Sequence, residues 1–500
     1  MNVAKTTWIL MAALVLCAGG AFAQDQKDET SPIDPNAPLQ PMDSSPVYPK
    51  GPPIPAGRGV NGPDPESYDP SQVTPDTNTL AGAAPYTVGS LQHSHNLFDP
   101  AISVSQLGQL VPGSDGGSIL TGVSVATASL NFSRTAGSIH FAAIYNGGET
   151  FDEDYSSASS FFGSTAQHEQ FHNLTIMEDD TWGRWHILFR NDFTASPGAA
   201  FGGQGMGGPG LVSEFSSILG NSLNSFAQVY LPSETINTGE ALRYRESVLG
   251  QAEYSLSRRS ALTFSGSYGL LHFTQAGYVN SSLVGAQAGY DYEVDRFDSI
   301  AVLGSYGTIN YSGTSNSTTD YTVELAYGRK VTGRLAFQVA AGPQIIHSSP
   351  TGPNGSFTIY FASVNSALTY QRRRSSLSFN FVRGLTGGSG VFEGATSITA
   401  SVGVQYQFTR NWAGSANAGY AVNNSLAPAG VSSIQFNNWF FGANIGRPVG
   451  ARTRINFNYG ASDQLNPSGC TVATCGGNGL QESVGVSINF HFLPLGERRQ

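Results

Sequence analysis

The 500-residue chain is poor in charge, with 12% Asp, Glu, Lys and Arg, and holds only 3 cysteines. So little cysteine excludes a disulfide-stapled scaffold. A formal charge of -10 with only 25 Lys and Arg speaks against nucleic acid as a partner, because such binding needs a basic face. Long apolar runs are missing too. After residue 24 no stretch approaches the ~20 residues of a membrane-spanning helix, so any insertion into a bilayer has to use strands. No nucleophile or acid–base set clusters in the chain, and no enzymatic chemistry, cofactor or metal is expected.

What is abundant is glycine, 60 residues of it, beside 29 Phe and 21 Tyr. That mixture suits short strands packed around small residues. The run Ser483 to Phe492 carries the pattern most plainly. Val484, Val486, Ile488, Phe490 and Phe492 fall on one face, Gly485, Ser487, Asn489 and His491 on the other. The same alternation returns at Leu262, Phe264, Tyr268 and Leu270, at Tyr321, Val323, Leu325 and Tyr327, and at Val402, Val404, Tyr406 and Phe408. So long a series of one-faced strands needs either a very large sandwich core or lipid. The opposite faces are too uniformly small and polar for a second core, so lipid is the reading.

Connections alternate between tight and loose. The tight ones are Thr135-Ser138, Asp179-Arg184, Ser257-Ser260, Asp295-Asp298, Thr332-Arg334, Arg372-Ser375, Arg410-Asn411 and Pro448-Arg452. The loose ones begin near 108, 152, 195, 274, 312, 348, 384, 424 and 464. A barrel with short periplasmic turns and longer outer loops has this rhythm. The expected fold is an all-β transmembrane antiparallel barrel of about 16–18 strands over 91–493, its first strand near Leu97 to Leu107, followed by a short tail over 494–500.

Upstream, Lys5, the apolar run Trp8 to Leu16 and the Ala21-Phe22-Ala23 site read as a signal peptide over 1–23, cleaved after Ala23. Cys17 raises a lipoprotein alternative, but Leu16 stands where a small residue is required. Cys470 and Cys475 then remain, an even pair in an exported chain, which suggests a disulfide pinching a loop. Residues 24–90 are rich in Pro with Gly, Asp and Ser, a composition that stays extended and disordered. They form a periplasmic tether, with a cell-wall or periplasmic partner as the sharper alternative.

Strand phase names the residues facing inward. Arg190 and Asp192, Arg243, Arg245 and Glu253, Asp291 and Glu324 are the charged candidates for the lumen or a constriction, with Gln287, Gln338, Gln405, Asn417, Asn458 and Asn489 as neutral neighbours. Their mixed signs predict weak ion selectivity in a neutral-polar lumen. The third loose connection, 195–240, opens with Gly202 to Gly210. Leu211, Phe215, Ile218, Leu219, Leu223 and Phe226 follow at helical spacing, which suits a helix folded inward against the wall. His168-Glu169-Gln170-Phe171-His172 matches the H-E-x-x-H zinc pattern, but it runs into a strand, where the two imidazoles stand too far apart for one ion.

The closing strand resembles that of Gram-negative outer-membrane barrels. The resemblance implies that Phe490 and Phe492 act as the assembly signal read by the barrel assembly machinery, set slightly inside the end because Leu493 to Gln500 follow. The 195–240 connection resembles the inward third loop of general porins, which implies a passive channel for small solutes. Val382-Arg383-Gly384-Leu385 looks like the V-R-G-[FY] signature of Omp85-type barrels, without their upstream repeat domains. The order Gly387-Gly388-Ser389-Gly390, Arg410-Asn411-Trp412, Gly414 to Tyr420 is similar to barrels associated with exopolysaccharide export, and it implies a structural or accessory role as the alternative.

Overall fold

The computed structural model describes residues 97–112, 118–136, 138–153, 168–196, 236, 242–312, 316–332, 334–349, 355–372, 374–409, 411–428, 433–465 and 479–492. The signal peptide, the Pro-rich tether, Cys470 and Cys475, the C-terminal tail and nearly all of the long third loop lie outside them.

Eighteen strands form one closed antiparallel sheet. They are β1 (Leu97–Pro112), β2 (Ser118–Ala136), β3 (Ile139–Glu153), β4 (His168–Trp182), β5 (Trp185–Ser196), β6 (Arg243–Ser255), β7 (Ser260–Phe273), β8 (Ser281–Glu293) and β9 (Asp298–Tyr311). The series continues with β10 (Ser317–Thr332), β11 (Leu335–Ser349), β12 (Phe357–Arg372), β13 (Ser375–Thr386), β14 (Ala395–Gln407), β15 (Ala413–Ser425), β16 (Gln435–Val449), β17 (Thr453–Leu465) and β18 (Gly479–His491). Each strand pairs with its sequence neighbours, and β1 pairs with β18 to shut the cylinder. Closure leaves no unpaired sheet edge, the condition for strands to cross hydrocarbon. Every tight connection expected from the sequence joins two strands. The strand number, left between sixteen and eighteen, is eighteen, because the weakly patterned β1 is held from both sides by β2 and β18.

Local chemistry fixes the tight turns. Thr332 Oγ1 accepts from the N–H of Arg334 at 3.1 Å and of Leu335 at 3.0 Å, and Thr409 Oγ1 from Asn411 and Trp412. Asp295 does the same with Phe297 at 2.6 Å and Asp298 at 2.9 Å, and these two donors hold its carboxyl below the ordinary carboxylate range. Gly450 takes a φ of +81° in the β16–β17 turn, a conformation that needs glycine. Arg258, Arg259, Arg334, Arg372, Arg374 and Arg452 stand exposed at this rim.

The alternation separates two faces. Outward stand Tyr360, Leu325 and Val484, exposed to 79%, 69% and 63%. Inward stand Ser103, Thr322, Asn456 and Ser487, all buried. At the closing seam Val486 and Ile488 point out, while His491 turns in and its Nδ1 meets the Asp99 carboxylate at 3.1 Å. Phe490 and Phe492 meet edge to face at 5.6 Å, and Phe492 N–H donates to the Pro100 carbonyl.

Candidate functional site: the barrel interior

The inner wall has two chemically distinct parts. On β15 to β18 it is an amide surface: Asn438, Asn456, Asn458, Gln464 and Asn489 are buried there. Asn444 donates to Asn458, and the amides of Asn456 and Asn458 both reach Ser487 Oγ at 3.5 Å. From β4 to β13 the polar wall is crossed by an apolar belt of Met177, Leu188, Leu249, Leu283, Ile309, Ile346 and Leu385. The neutral-polar lumen expected from the sequence is thus only half the picture. Apolar residues occur on both faces of strands such as β8, where Leu283 points in and Val284 out, and alternation alone credits such residues to the lipid side.

Every charged candidate projects inward, but they do not form one ring. Arg190 and Asp192, two apart on β5, are paired at 2.5 Å (Nε to Oδ2), and Asp192 also accepts from Thr175 at 2.8 Å. Glu324 accepts from Ser363 at 2.6 Å. Arg243 is fully covered at the loop end of β6, at 1% exposure, with Arg245 beside it on the same face. Glu253 faces His186, whose Nδ1 is 4.0 Å from Glu253 Oε2 and whose Nε2 is 2.8 Å from Asp179. Asp291 stands in β8 between Ala261 and Ala301. The pairs of Arg190 with Asp192 and of Ser363 with Glu324 solvate a wall as readily as they set a field.

The residues that shape the interior most are ones the sequence reading did not place there. Pairing between β12 and β13 begins only at Val364 with Arg383, so the loop end of β13 leans off the wall. The link to β14 follows it inward. Gly388 to Gly390 make one 3₁₀ turn, with the Gly388 carbonyl accepting from Val391 and Phe392. The Gly390 carbonyl accepts from the Val279 N–H at 2.8 Å. A β-carbon on Gly390 would lie 2.1 Å from the Phe273 ring, and its φ of +77° also requires glycine. Phe273 belongs to β7. Following the wall from β13 to β7 takes ~29 Å at strand spacing, whereas Thr386 to Gly390 reaches at most ~14 Å. The segment therefore cuts across the interior.

Neighbouring loops fasten it. Glu393 accepts from Asn316, the Leu426 N–H donates to the Gly394 carbonyl at 3.3 Å, and Phe392 packs on Ile236, Ala395 and Phe436. Tyr278 stacks on Phe273 at 4.7 Å; burial pushes its phenol up, and the Arg243 guanidinium draws it partly back. Ile236 is the one described residue of the third loop between Ser196 and Leu242, and it is buried in this knot. The inward helix expected within 195–240 lies outside the described residues. The H-E-x-x-H segment is strand, as expected. His172 faces outward against the Tyr145 hydroxyl at 3.0 Å, and no group of metal ligands forms among the described residues.

No family model matches the chain, and no curated protein matches it. Among solved structures it is similar to Pseudomonas aeruginosa OccK2 (OpdF) at 9% identity and a TM-score of 0.38, covering 79% of this chain and 98% of that one. It is similar to Acinetobacter baumannii OccAB1 at 8% identity and 0.39, covering 84% and 100%. For the outer membrane protein opdK from Pseudomonas aeruginosa the values are 8% and 0.36, covering 79% and 98%. A likeness this distant assigns neither solute nor pore.

Proposed function

We propose that this chain is an outer-membrane channel that passes small solutes passively, narrowed at its loop end by the inward segment 387–394. The observation that carries this reading is the closed eighteen-strand sheet with an oily outside and a largely polar inside. Barrels of this strand number are wide enough to enclose an aqueous passage unless loops close it. Transport of this kind needs no covalent chemistry. Phe490 and Phe492 serve as the assembly signal, Cys470 and Cys475 pinch the last outer loop, and the Pro-rich segment tethers the barrel on the periplasmic side. The charged inner residues, Arg190, Asp192, Arg243, Arg245, Glu253, Asp291 and Glu324, bias which solutes pass.

A specific observation favours a second reading, a barrel closed at rest with a structural or accessory role, such as exopolysaccharide export or surface attachment. Thr318, Gln344 and Asn423 on the inner wall are almost wholly covered. Conductance in planar bilayers with sized sugar blockers separates the two. The channel reading expects discrete openings that sugars below a definite size reduce; persistent silence, even after segment 387–394 is removed, would establish the closed barrel instead.

A further inference from the structure

The closed sheet is not zipped to the same height all round. At the loop end β11 stays paired with β12 as far as Ser348 with Phe357, and β13 with β14 as far as Thr386 with Ala395. Between β12 and β13 the ladder stops at Val364 with Arg383, so the edge of β12 over Phe357–Ser363 has no partner on β13. Continued register would set Ser363 against Gly384 and Ala362 against Leu385, but Leu385 joins the inner belt instead. Outside, Tyr306, Tyr321, Ile345 and Tyr360 follow one another in register across β9 to β12, all exposed. Such an aromatic row marks the interface of a barrel with its membrane. The lower part of the parted seam, Phe361 to Ser363, lies on the acyl-chain side of that row. Unpaired backbone at this depth is tolerated where it borders protein or a watery cavity.

The seam holds a cation. Arg383 belongs by alternation to the outward row of Phe379 and Phe381, where it would meet lipid. Its guanidinium carbon nevertheless lies 4.3 Å from the centre of the Phe361 ring. Phe361 belongs to the inward row with Ser363 and packs on the apolar belt. The Arg383 side chain therefore reaches across the seam, and its Nε has no hydrogen-bond acceptor among the described residues. There is room beside it. A β-carbon on Gly384 would meet no atom of the described residues within 4 Å. Ile359 keeps part of its surface open although Ile346, its direct partner on β11, is 0% exposed, so the open side is the one toward β13.

We infer that the parted β12–β13 seam is a lateral portal, through which an amphiphile with one hydrocarbon chain and an anionic head moves between the barrel interior and the outer leaflet. Arg383 takes the head. Its guanidinium offers donors only, and hydrogen bonds between opposite charges are the strong ones. Ile359, Phe361 and Leu385 take the chain and lead it to the apolar belt, a surface that a purely polar solute does not need. The portal goes beyond axial passage of small solutes and does not depend on it.

The test is photolabelling of the full-length protein in phosphatidylcholine nanodiscs with palmitate carrying a mid-chain diazirine, the labelled positions read by tandem mass spectrometry. Lipid-facing residues such as Tyr360 and Val364 label in any case. Wild type should also label Ile359 and Phe361. The methyl ester of the same probe should label them about ten-fold less, the loss expected of a charged hydrogen bond. Arg383→Gln should bring palmitate labelling of Phe361 down to the level of the ester. Gly384→Phe keeps the cation and fills the space at the seam, and should reduce labelling comparably. It also decides the matter if Arg383→Gln fails to fold. Arg372→Gln, exposed at the opposite rim, serves as the unchanged control. Label confined to outward residues, or inward labelling that ignores both Arg383→Gln and Gly384→Phe, overturns the portal. Seam-dependent labelling in a barrel silent in bilayers keeps the portal and removes the axial channel. A conducting barrel labelled only on its outside keeps the channel and removes the portal.

Discussion

Leu325→Arg is expected to remove a large share of the barrel's folding stability in lipid vesicles, about 2–4 kcal/mol. Leu325 sits mid-strand in β10, 69% exposed, between Val323 and Tyr327 on the outward face. An arginine at the bilayer midplane of a barrel costs about 2–4 kcal/mol. Against a total stability of ~5–15 kcal/mol, that is a large share, and each ~1.4 kcal/mol shifts the folded ratio ten-fold. Gln338→Arg on the inner face of β11, similar in length and clear of lipid, should cost well under half as much. Urea titrations in vesicles, read by Trp fluorescence, give both values. Equal costs for the two substitutions would mean that lipid does not solvate the outward face.

Excising 387–394 and joining Thr386 to Ala395 through Asn-Gly should raise single-channel conductance about two-fold or more, because a constriction sets the resistance of a pore. The excision is structurally conservative. Thr386 and Ala395 are already direct partners across β13 and β14, and Asn-Gly closes two-residue hairpins without straining their twist. A milder version is Gly390→Val, which sets a side chain against the Phe273 ring and demands a φ that valine resists. It should displace the segment without removing it and give an intermediate rise, visible as noisier openings. Unchanged conductance in both variants would mean that solutes do not pass this segment.

The barrel itself was legible because its physical cause is periodic. A two-residue repeat with one oily face shows in most strands, and turn residues such as Thr332, Asp295 and Thr409 announce themselves through the backbone donors they accept from. The same phase placed each charged candidate on the inner wall. The inward course of 387–394 was not legible. Its glycines specify conformational freedom at 388, 390 and 394, but a destination on Phe273 and Val279 is a tertiary fact with no local signature. The apolar belt was hidden for a related reason. Leu283, Ile309 and Ile346 read as ordinary strand residues until the register shows that they share one inner surface. The third loop drew attention through its length and its oily helix spacing, whereas the described inward contacts converge on the β13–β14 link, with only Ile236 contributed from that loop.

All of this depends on the outward row of Val, Leu, Tyr and Phe being solvated by acyl chains. The most direct measurement is refolding of the mature chain from urea into plain buffer and, in parallel, into detergent micelles, followed by sedimentation and cold gel mobility. The expected result is aggregation in buffer and a compact, heat-modifiable band in detergent. A monodisperse, folded species in buffer alone would contradict the account.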